Sequence, residues 1–281
     1  MREAPAEAGP NSRLAPARGY VYHPHKTQFI LHYPERKMKQ NYLERTYHLR
    51  TSDFDMRNRI LPSSVLDLFQ DTAGEHASSL GVGYYDLLPE NKCWMILRTR
   101  YEVIRQPRLF SDVIVRTWPI ESRRIEFDRD YIMYDSDGNE LIKGTSQWAI
   151  LDVSDREKPQ LVMARNFDLR LDEYLPERAL EGRFERLAPN FDTDGAPYVT
   201  KSGYTDIDTN DHVNNIKYAN FILNAISLPT EAEITSFRID YLKEITSGAE
   251  ISIFTKKDEN AVICRGESGD KVSFTAKITV K

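Results

Sequence analysis

The run Asp208-Thr209-Asn210-Asp211-His212-Val213-Asn214-Asn215 places a carboxylate, an amide and an imidazole at alternate positions just ahead of an apolar stretch. In an extended chain alternate side chains share one side, so Asp208, Asn210 and His212 are expected to point together. Histidine exchanges protons near neutral pH. A second carboxylate, Glu244, lies in a later strand-like stretch. Beside an apolar slot it would lose hydration, which suits a general base. The N–H groups of Val213, Asn214 and Asn215 stand at the expected start of a helix, where they lack intrahelical partners and share the positive end of its dipole. Such donors stabilise a carbonyl oxygen as it gains charge. Base, water-positioning amide and oxyanion donors together describe hydrolytic attack on a carbonyl carbon. Each residue also has a structural reading: Asp208 and Asn210 as turn formers, Asn214 and Asn215 as caps, His212 as a packed side chain.

An internal repeat decides between these readings. Ser52-Asp53-Phe54-Asp55 recurs as Thr205-Asp206-Ile207-Asp208, 153 positions later, and at that spacing Val65-Leu66 and Leu68-Phe69 fall on Tyr218-Ala219 and Phe221-Ile222. Arg100-Tyr101-Glu102 recurs as Arg238-Ile239-Asp240, 138 positions later, followed by Asp112-Val113, Val115 and Thr117 on Glu250-Ile251, Ile253 and Thr255. The difference of 15 residues places an insertion within Gly74–Lys92 of the first copy. Its Gly81-Val82-Gly83 is no nucleotide loop, because no strand precedes it. Where the second copy has Asn210, His212 and Glu244, the first has Arg57, Arg59 and Gln106. A capping role would be needed in both copies. The loss of the titrating groups from one copy therefore marks the second as catalytic and the first as the wall of the substrate pocket.

The elements that must hold these residues repeat too. Ser63–Ala73 and Asn215–Ile226 read as helices apolar on most sides, hence buried on most sides. Val272, Phe274, Ala276, Ile278 and Val280 alternate with polar residues, and Phe127, Tyr131 and Met133 share a face with Ile125. Asp135-Ser136-Asp137-Gly138 reads as a hairpin turn, with Leu141–Leu151 returning as the next strand. A buried helix followed by an antiparallel meander describes a sheet wrapped round a helix, the hotdog architecture of the α+β class. The expectation is a tandem (double) hotdog fold, two antiparallel sheets each round a central helix and paired edge to edge as a pseudo-dimer. The boundaries read as 1–40 disordered or accessory, 41–165 the N-terminal repeat, 166–200 a linker and 201–281 the C-terminal repeat.

Composition narrows the class. A net charge of −5 over 281 residues gives nucleic-acid binding no support. No apolar run approaches the roughly 20 residues of a membrane helix, so no membrane insertion is expected. Residues 1–19 lack the apolar core of a secretory signal. Cys93 and Cys264 form neither a disulfide framework nor a zinc spacing, and read as buried, inert thiols in a reducing cytoplasm. His23-Pro-His25 offers only two ligands, too few for a metal site.

The run Asp208-x-Asn210-x-His212-Val213-Asn214-Asn215-x-Lys217-Tyr218 resembles the signature of acyl–acyl carrier protein (ACP) thioesterases of plants and bacteria. Trp94 through Trp118 and Thr145-Ser146-x-Trp148 are similar to the same family's first repeat, and the likeness runs from about residue 43 to 280. The resemblance implies release of free fatty acid from acyl carrier protein, without metal or organic cofactor, by Asp208, Asn210, His212 and Glu244. Plant members carry a Cys just after that Glu; Ile245 stands here, so a cysteine acyl-enzyme is not expected. Attack by water or by a carboxylate stays open. Val65, Phe69, Trp94, Ile96 and Trp148 are the candidate acyl-slot residues, and Arg98, Arg105, Arg108, Arg123, Arg124 and Lys217 the candidate dock for an acidic carrier protein. Related chemistries also weighed are an acyl-CoA thioesterase, a 3-hydroxyacyl dehydratase and a non-catalytic acyl-binding protein. A homodimer is left open.

Overall fold

The computed structural model describes residues 41–155 and 157–281. The expectations for residues 1–40, including His23-Pro-His25, lie outside the described residues. In the first half β1 (Leu43–His48) precedes α1 (Pro62–Ser79), α2 (Tyr84–Leu87), β2 (Lys92–Val103), β3 (Asp112–Pro119), β4 (Phe127–Asp135), β5 (Glu140–Asp152) and a short β6 (Gln160–Leu161). In the second half β7 (Tyr198–Lys201) precedes α3 (Lys217–Ile226), β8 (Ile234–Tyr241), β9 (Glu250–Asp258), β10 (Ala261–Ser268) and β11 (Lys271–Val280). All eleven strands join one antiparallel sheet in the order β1-β3-β4-β5-β2-β8-β11-β10-β9-β7, with β6 on β5. The order reads the same from both ends, each strand matched by its repeat mate.

The two halves meet at β2 and β8, where Arg100 opposes Arg238, Thr99 opposes Ile239 and Tyr101 opposes Phe237. Arg100 and Arg238 are the residues that the sequence repeat equates. A local two-fold axis therefore passes between them, and Tyr101 stacks on Phe237 across it at 5.7 Å. Both long helices lie on the same face of the sheet and touch each other. One core takes in Val65, Phe69, Ala219, Ile222, Phe237, Ile239, Phe274 and Ile278 from both halves. Gly144 in β5 is needed for close approach: a Cβ there would lie 2.4 Å from the Phe69 ring, which stacks on Tyr131 at 4.5 Å.

The helix limits differ from those read in the sequence, for local reasons. Pro62 opens α1, as proline does at a first helical position, and the helix runs past Ala73 through Gly74 to Ser79. The start of α3 is delayed from Asn215 to Lys217 because the Asn214 side chain accepts the Ile216 N–H (3.1 Å), forming a turn instead of a first helical step. The chain between the halves lies along the outer face, where side chains alternate with those of the core. There Phe184 lies beneath the guanidinium groups of Arg98, Arg100 and Arg238 at 5.8, 5.3 and 5.6 Å. Arg100 also donates to the carbonyls of Glu181 and Gly182. Among the described residues no helix is long and apolar enough to cross a membrane.

Candidate active site

The sequence from Ile207 to Val213 closes a tight loop. Ile207 bridges Val213, the Asp208 N–H donates to the His212 carbonyl at 2.8 Å, and Asp211 takes a positive φ of 63°. The Asp208 carboxylate turns inward to accept the Asn210 N–H at 2.8 Å. The first copy builds the same loop: Asp55 accepts the N–H groups of Arg57 and Arg59 at 2.8 and 3.0 Å, and Asn58 takes φ 58°. The chain here is a loop rather than an extended strand, so alternation does not align the three side chains. Asp208 is the loop's internal brace, a role its mate Asp55 shares. Asn210 is exposed, and among the described residues its amide side chain meets no protein partner.

His212 and Glu244 do come together. His212 bridges Thr246, and the Val213 N–H donates to the Ile245 carbonyl at 2.8 Å. This two-residue ladder sets the imidazole beside the residue before Ile245, and His212 Nε2 lies 3.3 Å from Glu244 Oε2. The Glu244 side chain is 62% exposed and that of His212 32%. The expected dry surroundings of Glu244 are therefore absent among the described residues. Tyr218, the second residue of α3, is buried beneath the pair. Burial pushes its phenol up to about 12 against a backbone hydrogen bond from Ile245, with the Glu244 and Asp208 charges adding to the rise. A neutral phenol on the Ile245 backbone helps to fix the segment that carries Glu244.

Of the three expected oxyanion donors, two are corrected. The Val213 N–H is engaged by Ile245 and the Asn214 N–H by the Asp206 carbonyl, both at 2.8 Å. They lie in the loop's ladder, before the helix begins. The Asn215 N–H meets no acceptor among the described residues, while its carbonyl accepts the Tyr241 hydroxyl at 3.1 Å.

A narrow slot opens between the halves next to Asn215. It is lined by Leu66, Phe69 and Gln70 of α1, Ile96 and Thr99 of β2, Tyr131, Ser146, Trp148, Ile216 and Tyr241, and its free volume is about 10 Å³. That is room for about one water. Of the five candidate acyl-slot residues, Phe69, Ile96 and Trp148 lie in its wall. Val65 does not: it is fully buried in the main core. Trp94 does not line it either, because it faces a separate cluster against Phe127 and Phe167 and donates Nε1–H to the Val82 carbonyl at 2.8 Å.

In the first copy the corresponding groups are engaged in structure. Gln106 Oε1 accepts the Ile60 N–H at 3.2 Å, whereas the Val213 N–H at the mate position finds a backbone carbonyl and Glu244 meets His212 instead. Arg57 donates to the Pro229 carbonyl at 3.0 Å, and Arg59 to the Ala232 carbonyl, tying that loop to the chain after α3.

One neighbour of the pair escaped the sequence reading. Cys93 at the start of β2 lies within reach of the Glu244 charge; burial first, then that charge, pushes its thiol up. It is half-buried, not the core residue expected. The signal was present: an axis at Arg100 and Arg238 carries Ile245 opposite Cys93. Cys264 does sit in the core, and burial pushes its thiol up to about 12. Neither thiol is poised as a thiolate nucleophile.

Residues 40–165 match the acyl-ACP thioesterase N-terminal domain and residues 197–281 the C-terminal domain; the chain belongs to the acyl-ACP thioesterase family. It is 24% identical over 228 residues to an acyl-[acyl-carrier-protein] hydrolase of Cuphea viscosissima, covering 76% of this chain and 54% of that one. With oleoyl-acyl carrier protein thioesterase 2 of Arabidopsis thaliana it shares 28% over 237 residues, covering 75% and 62%. The chain thus spans between about half and three-fifths of the curated relatives it matches. Two solved structures share its fold over 86% of this chain and 98% of theirs: an acyl-ACP thioesterase from Bacteroides thetaiotaomicron (TM-score 0.73, 24% identity) and a 12:0-ACP thioesterase from Umbellularia californica (TM-score 0.75, 20% identity). The fold is the expected tandem hotdog.

Proposed function

We propose that the chain hydrolyses the thioester of a fatty acyl–acyl carrier protein, releasing free fatty acid and holo-ACP and so ending fatty acid synthesis. The carrying observation is the His212–Glu244 pair, 3.3 Å apart, on the two segments that also supply Ile216 and Tyr241 to the slot. Glu244 acts as general base on a water, with His212 sharing the proton and Asn210 positioning the water or the carbonyl. The Asn215 N–H receives the developing oxyanion, and Asp208 acts through the loop as a positioning residue. On this reading the C-terminal half is catalytic, and the N-terminal half supplies most of the acyl slot through Phe69, Ile96 and Trp148. Carbonyl attack by a carboxylate is the competing route; an acyl-enzyme trapped on Glu244 would favour it over water.

The acidic carrier protein would dock on exposed basic residues; Arg108, Arg123 and Arg124 are exposed, whereas Arg98 is held over Phe184. Two unpaired cysteines suit a reducing compartment such as the cytoplasm. The test is thiol release from acyl–acyl carrier protein, compared with the coenzyme A thioester of the same chain and followed by chromatography of the fatty acid. Release from the carrier thioester supports the reading; an intact thioester with a dehydrated chain would replace it by a dehydratase. Binding without turnover would replace it by an acyl-binding protein.

A further inference from the structure

The slot is more polar than its place in the fold requires. Thr99 is 3% exposed, lines the slot, and its hydroxyl has no hydrogen-bond partner. Ser146, its cross-strand neighbour, accepts the Trp148 Nε1–H at 2.7 Å and shares a hydrogen bond with the Tyr131 hydroxyl at 2.9 Å. Whichever of Ser146 and Tyr131 donates, one hydroxyl proton of that pair has no acceptor among the described residues. Two buried donors thus face one slot unsatisfied, and Gln70 adds an amide to the same wall. Buried polar groups without partners destabilise a fold, and they persist where function holds them.

The second half supplies an internal control. Thr99 pairs with Ser146 as Phe237 pairs with Ile278, and Tyr131 pairs with Gly144 as Cys264 pairs with Ala276. Gln70 falls on Leu223 in the helix repeat. Phe237, Cys264 and Ile278 are fully buried, with Leu223 packed against the same core. The fold closes these positions with apolar side chains when nothing else is asked of them. In the first half each one carries a hydrogen-bonding group instead.

We propose that this slot selects an acyl chain bearing a hydrogen-bonding oxygen, a hydroxyacyl or oxoacyl group, over the plain saturated chain of equal length. This deepens the thioesterase reading and rests on it. An oxygen in the chain would accept the two unmet protons and leave no donor stranded. A saturated chain would bury them permanently, and a site built for a polar group rejects the analogue that lacks it far more strongly than an apolar site rejects an added hydroxyl.

The experiment offers the full chain three carrier-protein thioesters of one length, saturated, hydroxylated and oxo-substituted, and follows thiol release. In parallel, thermal upshift is measured with the corresponding free acids. The expected result is a kcat/KM at least about tenfold higher for an oxygenated member. The hydroxy and oxo arms tell which oxygen is preferred. Thr99→Val and Ser146→Ala should remove the preference, the oxygenated kcat/KM within each variant falling to that of the saturated thioester. Gln70→Leu, which copies the second half at a less buried position, serves should either of those fail to fold. Equal or better turnover of the saturated thioester overturns the proposal, as does a preference that survives the variants. Were no thioester cleaved, an upshift by the oxygenated acid alone would uphold the slot's selectivity and refute the hydrolase; no selective upshift would overturn both.

Discussion

Removing the His212–Glu244 pair should separate catalysis from stability, and the geometry says by how much. The two groups meet at 3.3 Å, but one side chain is 62% exposed and the other 32%. Ion pairs so open to water contribute about 1 kcal/mol or less. Glu244→Gln or His212→Ala should thus lower Tm by no more than about 2–4 °C in a chain of this size. A lost general base, by contrast, lowers turnover by about 10²–10⁴-fold. Because the two act on one proton, the double variant should lose about as much activity as either single one, not the product of the two losses. Thiol release from acyl–acyl carrier protein, measured beside thermal unfolding, reads both quantities. Gln106→Ala is the matched control. Its side chain holds the Ile60 N–H at 3.2 Å, so it should cost about 1 kcal/mol of stability and leave turnover per folded molecule intact. Full activity in Glu244→Gln would refute the assignment. Multiplicative losses in the double variant would refute the shared proton.

Three further outcomes can be read on the same protein. Cys264→Ala should retain full turnover per folded molecule, because that thiol is buried in the core away from the pair; inactivation without unfolding would reinstate a cysteine mechanism. In the intact protein burial raises the Cys264 thiol from 9.0 to about 12 and the Tyr218 phenol from 10.0 to about 12. Folded-state pKa values above the unfolded ones mean that the unfolded chain loses these protons first, so stability is fully present below about pH 9 and falls as pH climbs toward 12; denaturant midpoints across that range test it, and Cys264→Ala should make the fall shallower, the raised Cys93 thiol keeping part of it. Gly144→Ala should destabilise by about 1–3 kcal/mol, since its methyl would meet the Phe69 ring at 2.4 Å; an unchanged denaturant midpoint would mean that Phe69 moves aside freely.

The spacing of Arg100 and Arg238 in the chain was already a statement about symmetry, because the sheet halves join at the register that sets these two residues opposite each other. The period-two strands and the apolar helices were legible for the same reason: burial on one face leaves a pattern in the sequence. What could not be read was where individual polar groups end up. The alternation of Asp208, Asn210 and His212 suggested a shared face, yet the Asp208 carboxylate closes its own loop, as Asp55 does in the other half. A loop's hydrogen bonds depend on one residue's φ, here a positive value at Asp211, and periodicity carries no trace of it.

The same limit explains the oxyanion donors. Val213 and Asn214 were expected at a helix start, but the helix begins only at Lys217; the Val213 N–H completes the ladder that brings His212 to Glu244, and the Asn214 N–H closes the loop onto the Asp206 carbonyl. Those bonds cannot also hold a substrate oxygen, so of the three expected backbone donors the Asn215 N–H alone stays open among the described residues. This has a consequence for the repeat itself. In the first half Gln106 takes over the donor that Ile245 serves in the second, so the carboxylate is freed only where a backbone carbonyl replaces a side chain. Restoring an imidazole and a carboxylate at positions 59 and 106 would therefore not by itself create a second site. Arg59→His with Gln106→Glu would remove the acceptor of the Ile60 N–H, or tie the new carboxylate to it, and would release the loop from the Ala232 carbonyl. The double variant should gain no activity and should lose stability; a gain in thiol release that persists in the Glu244→Gln background would show that side-chain identity alone, without the ladder, makes the site.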